Sequence, residues 1–259
     1  MAHSLTKYAS LLDELAAAGY RFHPIRDYFA APAKQPFVYL RHDVDRLPER
    51  AVTMAEAEAK GSIRATYYFR CDKHMRFPEA AMRRIADLGH ETGFHYESLS
   101  RCKGDSDAAL ALFERELAAC RSLVPVDTVA PHGAPLSAAS NMDFSTGIGP
   151  ERFALLGDAT GIDFTDILYL TDTGGTFGSP YNLRDRVAGR ELPGPIHPVR
   201  LAAHVIGQQE TRLVLSCHPE RWPSGMLALT EARARDSATN LAKRLLQHLR
   251  ASDFRTRAR

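Results

Sequence analysis

The sequence lacks several features that would assign it to a specialised class of protein. Its 259 residues include only four cysteines, and because none forms a CxxC pair the spacing predicts neither a zinc knuckle nor a disulfide framework. The formal net charge of +2 excludes the basic footprint of a nucleic-acid-binding protein. No apolar stretch approaches the ~20 residues of a membrane span, and no basic segment followed by an apolar run marks a signal peptide. We therefore expect a cytoplasmic protein.

Arginine is concentrated at the C-terminal end, at Arg233, Arg235, Arg244, Arg250, Arg255, Arg257 and Arg259. A solvated helix face followed by a frayed tail explains this bias. Weak contact with an anionic membrane surface is the alternative.

Short apolar runs alternate with amphipathic segments along the chain. The spacing predicts strands over 37–40, 65–69, 91–95, 126–130, 166–171 and 211–217. It predicts helices over about 4–19, 48–60, 78–88, 107–123 and about 227–250. The repeated strand-then-helix order predicts an α/β fold with a parallel sheet covered by helices. Because no repeat or linker divides the sequence, we expect a single domain over 1–259.

Aspartate and histidine collect at the predicted carboxyl ends of the strands. The segments are RHDVD (41–45), GHETGFHYES (89–98), APHGAP (130–135), YLTDTGG (169–175) and LSCHPERW (215–222). Active sites of parallel α/β folds lie at these ends. The distribution therefore predicts a catalytic site.

The pair Asp43 and Asp45 is the first element of this site. Side chains alternate along a strand, so both aspartates would project to one side and His42 to the other. Neighbouring carboxylates repel unless a cation or a proton lies between them. A divalent metal bound by one aspartate would leave the other as a base, whereas a salt-bridged pair with Arg41 and Arg46 is the competing interpretation.

Three histidines extend the predicted site. His95 ends a strand and is a candidate metal ligand, although a lone histidine is more often a core residue. His132 begins a loop and is a further candidate ligand. His218 would act as a general acid if a carboxylate such as Asp172 oriented it.

Together these motifs resemble the polysaccharide deacetylase family, which is carbohydrate esterase family 4 (CE4) with a NodB homology domain. The similarity runs from about Phe37 to His218 in the family's motif order, with GHETGFH as the most specific match. RHDVD resembles the aspartate motif and LSCH the final histidine motif. The His-Tyr-Glu stretch is similar to that of members from bacterial surface-polysaccharide biosynthesis, including that of O-antigen.

The resemblance implies an irregular (β/α)7 barrel and a metal-dependent removal of N-acetyl groups from an amino-sugar. By position it makes Asp43 the catalytic base, and Asp45 and His95 metal ligands. His218 becomes the acid that protonates the leaving amine, with Asp172 as its orienting partner.

Three positions depart from the family's pattern. Leu99 replaces the second metal histidine, Val129 the arginine that braces the base, and Gly175 a tryptophan of the fourth motif. Arg41, on the same strand face as Asp43, would replace the bracing arginine.

The third metal ligand must then come from another position, since catalytic zinc takes three protein ligands and an open site. His132 is the predicted third ligand, because it takes the position of the motif tyrosine, and Glu97 is the alternative. The expected cofactor is one divalent ion, with zinc favoured.

The expected substrate contacts are Arg41, Leu215 and Trp222. Leu215 would line the acetyl pocket, and Trp222, the only tryptophan, would either stack on a sugar ring or pack in the core. The expected partner is an N-acetylated amino-sugar, as a soluble or lipid-linked precursor.

Two other interpretations remain open. A metal-independent hydrolase of another C–N bond, such as a cyclic ureide or formamide, would also have lost a metal ligand. A sugar-binding pseudoenzyme on a degenerate barrel would need neither a base nor an acid, so the presence of both Asp43 and His218 weighs against it.

Overall fold

The computed structural model describes residues 2–31, 33–134, 137–180, 182, 185 and 187–238, apart from the side chains of 146 and 148. Its strands are β1 Arg21–His23, β2 Phe37–Val44, β3 Thr66–Phe69, β4 Glu91–Tyr96, β5 Thr128–Pro131, β6 Gly157–Asp158, β7 Leu168–Thr171, β8 Arg190–Glu191 and β9 Arg212–Cys217. Its α-helices are α1 Leu5–Ala17, α2 Ile25–Ala30, α3 Pro48–Lys60, α4 Glu79–Asp87, α5 Ser98–Arg101, α6 Ser106–Arg121, α7 Asn141–Ile148 and α8 Pro198–Gly207. A further helix, α9, occupies 226–238.

The strands form one curled parallel sheet in the order β6-β5-β4-β3-β2-β9-β7-β8, with β1 beside the start of β2. Helix α3 connects β2 to β3, α4 connects β3 to β4, and α8 precedes β9. Within the described part of the chain, β6 and β8 at the two ends of the sheet do not pair with each other. The predicted α/β fold with an irregular barrel is confirmed.

Strand β2 carries the aspartate motif through the middle of the sheet. It extends beyond the predicted strand over 37–40 as far as Val44, and all eight of its residues are buried. Strand β9 pairs with its first six residues and β3 with its last four. Strands buried on both faces are usually continuous apolar runs. The polar residues Arg41, His42 and Asp43 therefore need specific partners.

The two faces of the sheet are packed differently. The outer face is covered by helices and contributes Leu40 and Leu215 to one large apolar cluster. The inner face is filled by a second cluster that includes Tyr39, Tyr68 and Tyr169. Alternation along β2 therefore sends even-numbered side chains to the helices and odd-numbered ones to the inside of the barrel.

A buried polar network lies behind the aspartate motif, on the outer face. His42 Nε2 lies 2.7 Å from Glu58 Oε1, and the Tyr67 hydroxyl donates to Glu58 Oε2 at 2.8 Å. The Tyr8 hydroxyl of α1 also donates to Glu58. These bonds satisfy polar groups that would otherwise be costly to bury, and they fix β2 against α1 and α3.

The accuracy of the predicted element boundaries depends on the strength of the local signals. Helix α3 begins and ends where predicted because Pro48 occupies its first position and Gly61 follows its last residue. The sequence did not predict α2, α5, α7 and α8, nor the strands β1, β6 and β8. Those three strands have only two or three residues each, which is too short for a periodic pattern.

Helix α9 forms the first part of the predicted C-terminal helix over 227–250. Residues 239–259, which include five of the seven C-terminal arginines, lie outside the described residues. Among the helices that the structure describes, none is long and apolar enough to cross a membrane.

Candidate active site

The predicted site residues lie at the carboxyl ends of five strands. Asp43 and His95 are each the last residue but one of their strands, β2 and β4. The others follow directly after strands, and these are Asp45, His132, Asp172 and His218. Because parallel strands all end at the same edge of the sheet, segments distant in sequence meet there.

Asp43 is held by Arg41, two residues earlier on the inner face of β2. Arg41 Nε donates to Asp43 Oδ1 at 3.1 Å, and Nη2 donates to Oδ2 at 2.6 Å. Burial disfavours the carboxylate form, but Arg41, His95 and His218 outweigh it and lower the pKa of Asp43 to about 2. Asp43 is therefore ionised at neutral pH and able to accept a proton.

Asp45 presents one carboxylate oxygen to two histidines. Asp45 Oδ1 lies 3.6 Å from His95 Nε2 and 3.6 Å from His132 Nε2. This oxygen is buried and accepts no hydrogen bond from any described residue. His95 Nε2 also lies 3.9 Å from Asp43 Oδ2. Both aspartates therefore face one histidine, on the side opposite to His42, as alternation along the strand predicts.

His95 is oriented so that its Nε2 faces the aspartates. Its Nδ1 lies 3.0 Å from the carbonyl oxygen of Ala130, and because a carbonyl only accepts, Nδ1 carries the proton. Burial lowers the pKa of His95 to about 4, against the opposing effect of Asp43 and Asp45. The ring is therefore neutral with a lone pair on Nε2, which is the form that binds metals.

His132 is held through its other ring nitrogen by Glu97. His132 Nδ1 lies 3.1 Å from Glu97 Oε2. Burial acts against the charged form of His132, but Asp45 and Glu97 outweigh it and raise the pKa to about 9. The ring is an imidazolium at neutral pH, between two carboxylates.

Arg70, which the sequence did not predict, connects these carboxylates. Arg70 Nη2 donates to Glu97 Oε2 at 2.6 Å, and Nη1 lies 3.7 Å from Asp45 Oδ1. A single arginine after a strand resembles any solvated surface residue, so no local signal could have identified it. Its position makes Glu97 a group that orients His132, which favours His132 over Glu97 as the third metal ligand.

Asp45, His95 and His132 have the donor types of a divalent-metal site, and the two separations from the Asp45 carboxylate match the spacing of such a site. Donors at bond lengths of about 2.0–2.2 Å around a tetrahedral ion lie roughly 3.3–3.6 Å apart. The two separations from Asp45 Oδ1 are both 3.6 Å, and that oxygen accepts no hydrogen bond from a described residue. In the described ranges, no group of three His, Cys, Asp or Glu side chains is arranged so that it could hold a metal ion. Because a protonated ring nitrogen cannot bind a metal, His132 would have to lose a proton before an ion could bind.

His218 and Asp172 form a second buried pair. His218 Nδ1 lies 2.7 Å from Asp172 Oδ1, and the His218 backbone N–H donates to the same carboxylate at 3.1 Å. Burial opposes a charge on His218, but Asp172 outweighs it and raises the pKa to about 10. The ring is therefore protonated at neutral pH, and its Nε2–H points away from Asp172.

Leu215 does not lie where the family resemblance predicted. In the register of β2 and β9, Leu215 pairs with Leu40 while Ser216 pairs with Arg41. Paired residues of parallel strands point to the same face, so Leu215 faces the helices and Ser216 faces the inside of the barrel. The prediction that Leu215 lines an acetyl pocket is wrong.

The other two predicted substrate contacts, Trp222 and Arg41, form hydrogen bonds to residues of the protein. Trp222 is 1% exposed, and its Nε1 donates to Asp172 Oδ2 at 2.7 Å. It therefore packs in the core, which is the alternative that the sequence left open, and cannot stack on a sugar. Arg41 is buried against Asp43 and braces that carboxylate, and its contact with substrate stays a prediction.

No protein-family model matches the chain, and no curated protein matches it. Solved structures with a similar fold include a CE4 esterase of Streptococcus mutans, with 14% identity, 90% of each chain covered and a TM-score of 0.47. A CE4 family pseudoenzyme from Bacillus anthracis has 15% identity over 82% of this chain and 65% of its own, with a TM-score of 0.41. A peptidoglycan deacetylase from Bacillus subtilis has 10% identity over 83% of this chain and 99% of its own, with a TM-score of 0.39. At these identities the similar structures do not assign a function to this chain.

Proposed function

We propose that the chain is a metal-dependent hydrolase that removes the N-acetyl group of an amino-sugar in a polysaccharide or its precursor. The observation that carries the proposal is geometric: Asp43, hydrogen-bonded to Arg41, and His218, next to Asp172, lie at the ends of the neighbouring strands β2 and β9. The charge of His218 helps to lower the pKa of Asp43 and of Asp45. Amide hydrolysis needs a base and an acid, because the attacking water must lose a proton and the leaving amine must gain one.

Asp45, His95 and His132 would hold the metal, and two imidazoles with one carboxylate favour zinc. Bound there, the ion would polarise the acetyl carbonyl and lower the pKa of a water molecule. Glu97 and Arg70 would keep His132 oriented through its second ring nitrogen.

The two buried pairs would divide the proton transfers between them. Asp43 would accept the proton of the attacking water, in an orientation fixed by the two hydrogen bonds from Arg41. His218 would deliver its Nε2 proton to the nitrogen as the C–N bond breaks, with Asp172 stabilising the charged ring before the transfer.

The direct test is acetate release from N-acetylated amino-sugars, together with elemental analysis of the purified chain. We expect one divalent ion per chain. Replacing His95 by alanine removes one of three ligands and should strip both metal and activity. The control is His23→Ala, which removes a histidine paired with Asp27 in the short strand β1. Full metal occupancy in His95→Ala would mean that the ion binds elsewhere.

A second candidate, a metal-independent hydrolase of another C–N bond, is favoured by Leu99, which stands where the related family has its second metal histidine. The two ring nitrogens of His132 instead form ion pairs with Asp45 and Glu97. Protein treated with a chelator separates the two candidates. Undiminished turnover of a cyclic ureide or formamide by metal-free protein would support the second one.

The pH dependence of kcat/KM should follow His218. Its pKa of about 10 keeps it protonated through neutral pH, so kcat/KM should fall as the pH rises through about 10. Asp43, with a pKa of about 2, stays ionised over the same range. Asp172→Asn removes the charge that raises the pKa of His218, so the basic limb should move to lower pH. An unchanged limb in this variant would assign it to another group.

The proposed biological setting rests on the resemblance of the His-Tyr-Glu stretch at 95–97 to proteins of surface-polysaccharide synthesis. We propose a cytoplasmic enzyme of one domain that acts on a soluble or lipid-linked precursor, as in O-antigen biosynthesis. Weak membrane contact through the arginine-rich C-terminal segment is part of the same proposal, and cell fractionation with and without 239–259 would test it.

A further inference from the structure

A groove of about 400 Å³ opens beside Asp45, between the loop after β2 and the loop after β3. Its apolar lining consists of Val44, Pro48, Cys71, Phe77 and Pro78. Its charged lining consists of Asp45, Arg46, Arg70, Asp72 and Arg76. Asp45 belongs to the groove lining and to the candidate active site, so the two are continuous.

The three arginines keep hydrogen-bonding capacity beyond their carboxylate partners, since each guanidinium has five N–H donors. Arg46 reaches Glu220 through Nη2 at 3.3 Å, and half of its side chain is exposed. Arg76 binds Asp72 through Nε and Nη2, both at 2.9 Å, and is largely exposed. Their remaining donors are accessible from the groove.

Arg70 has a donor that the described residues leave without an acceptor. Its Nε is buried and has no acceptor among the described residues, although Nη2 is bound to Glu97. Buried N–H donors in proteins almost always have a hydrogen-bond partner. The Arg70 Nε–H is therefore a donor that remains available to an acceptor on a ligand.

The charge balance of the groove lining favours an anion. The lining has three guanidinium groups against the two carboxylates of Asp45 and Asp72, an excess of one positive charge. A neutral sugar would leave this excess unmatched.

We propose that the groove binds an oxyanion of the substrate, either a phosphate ester or a carboxylate, close to the acetamide group. Guanidinium groups recognise both anions through paired N–H donors. The apolar lining around Phe77 would contact the carbon face of the ring that bears the anion. The inference rests on the proposed function for the position of the acetamide, and it defines the substrate as an acidic amino-sugar unit.

Binding of deacetylated sugars tests this inference without any turnover. Calorimetric titrations of the zinc-loaded chain would compare glucosamine, glucosamine 1-phosphate and galactosaminuronic acid. At least one of the two anionic sugars should bind roughly tenfold more tightly than glucosamine, and the advantage should shrink at high salt. Glucosamine 1-phosphate tests for recognition of a phosphate ester, and galactosaminuronic acid tests for recognition of a carboxylate. Equal affinity for all three sugars would overturn the inference.

Arg76→Gln should remove most of the advantage of the anionic sugar while leaving glucosamine binding unchanged. The matched control is Arg83→Gln, an exposed arginine of α4 that pairs with Glu79 and loses the same charge outside the groove. Equal weakening in the two variants would also overturn the inference, because it would reflect net charge alone. Tight binding of an anionic sugar without acetate release from any N-acetylated sugar would support the groove and count against the deacetylase.

Discussion

Replacing Asp43 by asparagine should lower kcat/KM by ~10²–10⁴-fold, the range of a general base, while one metal ion remains bound per chain. Asparagine matches the size of aspartate but cannot accept the proton of the attacking water. Asp45→Asn should lose both metal and activity, because Asp45 Oδ1 lies between His95 and His132. Steady-state kinetics and elemental analysis of the two variants provide the comparison.

Thermal unfolding must be measured beside these activities, because Asp43→Asn leaves the buried Arg41 without its counter-charge. Removing one partner of a buried ion pair typically destabilises a protein by about 3–5 kcal/mol. Kinetics should therefore be recorded well below the unfolding midpoint of each variant. Asp166→Asn, which breaks an exposed pair with Arg212, is the matched control. Equal metal loss in the Asp43 and Asp45 variants would show that both residues are ligands.

His218→Ala should slow hydrolysis of an N-acetyl amino-sugar by ~10²–10⁴-fold and leave hydrolysis of an activated acetate ester almost unchanged. An amine departs only after it gains a proton, whereas a nitrophenolate departs without one. Metal content should not change, because the ring of His218 is bound to Asp172. The measurement is kcat/KM for both substrates in wild type and variant.

Asp43→Asn provides the contrast for this experiment, since both substrates need an activated water and both should slow. If His218→Ala slowed the two substrates by the same factor, His218 would be a structural residue. The proposed mechanism would then have no acid.

Much of the site was predictable from the sequence because it depends on local geometry. Asp43, Asp45 and His42 lie in or next to one strand. Alternation alone therefore assigns the two aspartates to one face and His42 to the other. The motif order likewise brings Asp172 and His218 to neighbouring strand ends, where they pair.

The errors arose where a residue's role depends on contacts between distant segments. The face on which Leu215 lies follows from the register of β9 against β2, which no feature of either strand reveals. Trp222 could be assigned to the core only once its hydrogen bond to Asp172 was known. Arg70 has no distinguishing neighbours in sequence, and only the fold brings it to Glu97.

Trp222 has a use that is separate from its part in packing. It is the only tryptophan of the chain, and its indole nitrogen is bound to the carboxylate that holds His218. Its fluorescence is therefore a spectroscopic reporter beside His218, the proposed general acid. An emission titration should detect the loss of the His218 proton in the absence of any substrate, and a ligand that approaches Asp172 should perturb the same signal. Candidate sugars can thus be screened by light emission before the reaction that consumes them is known.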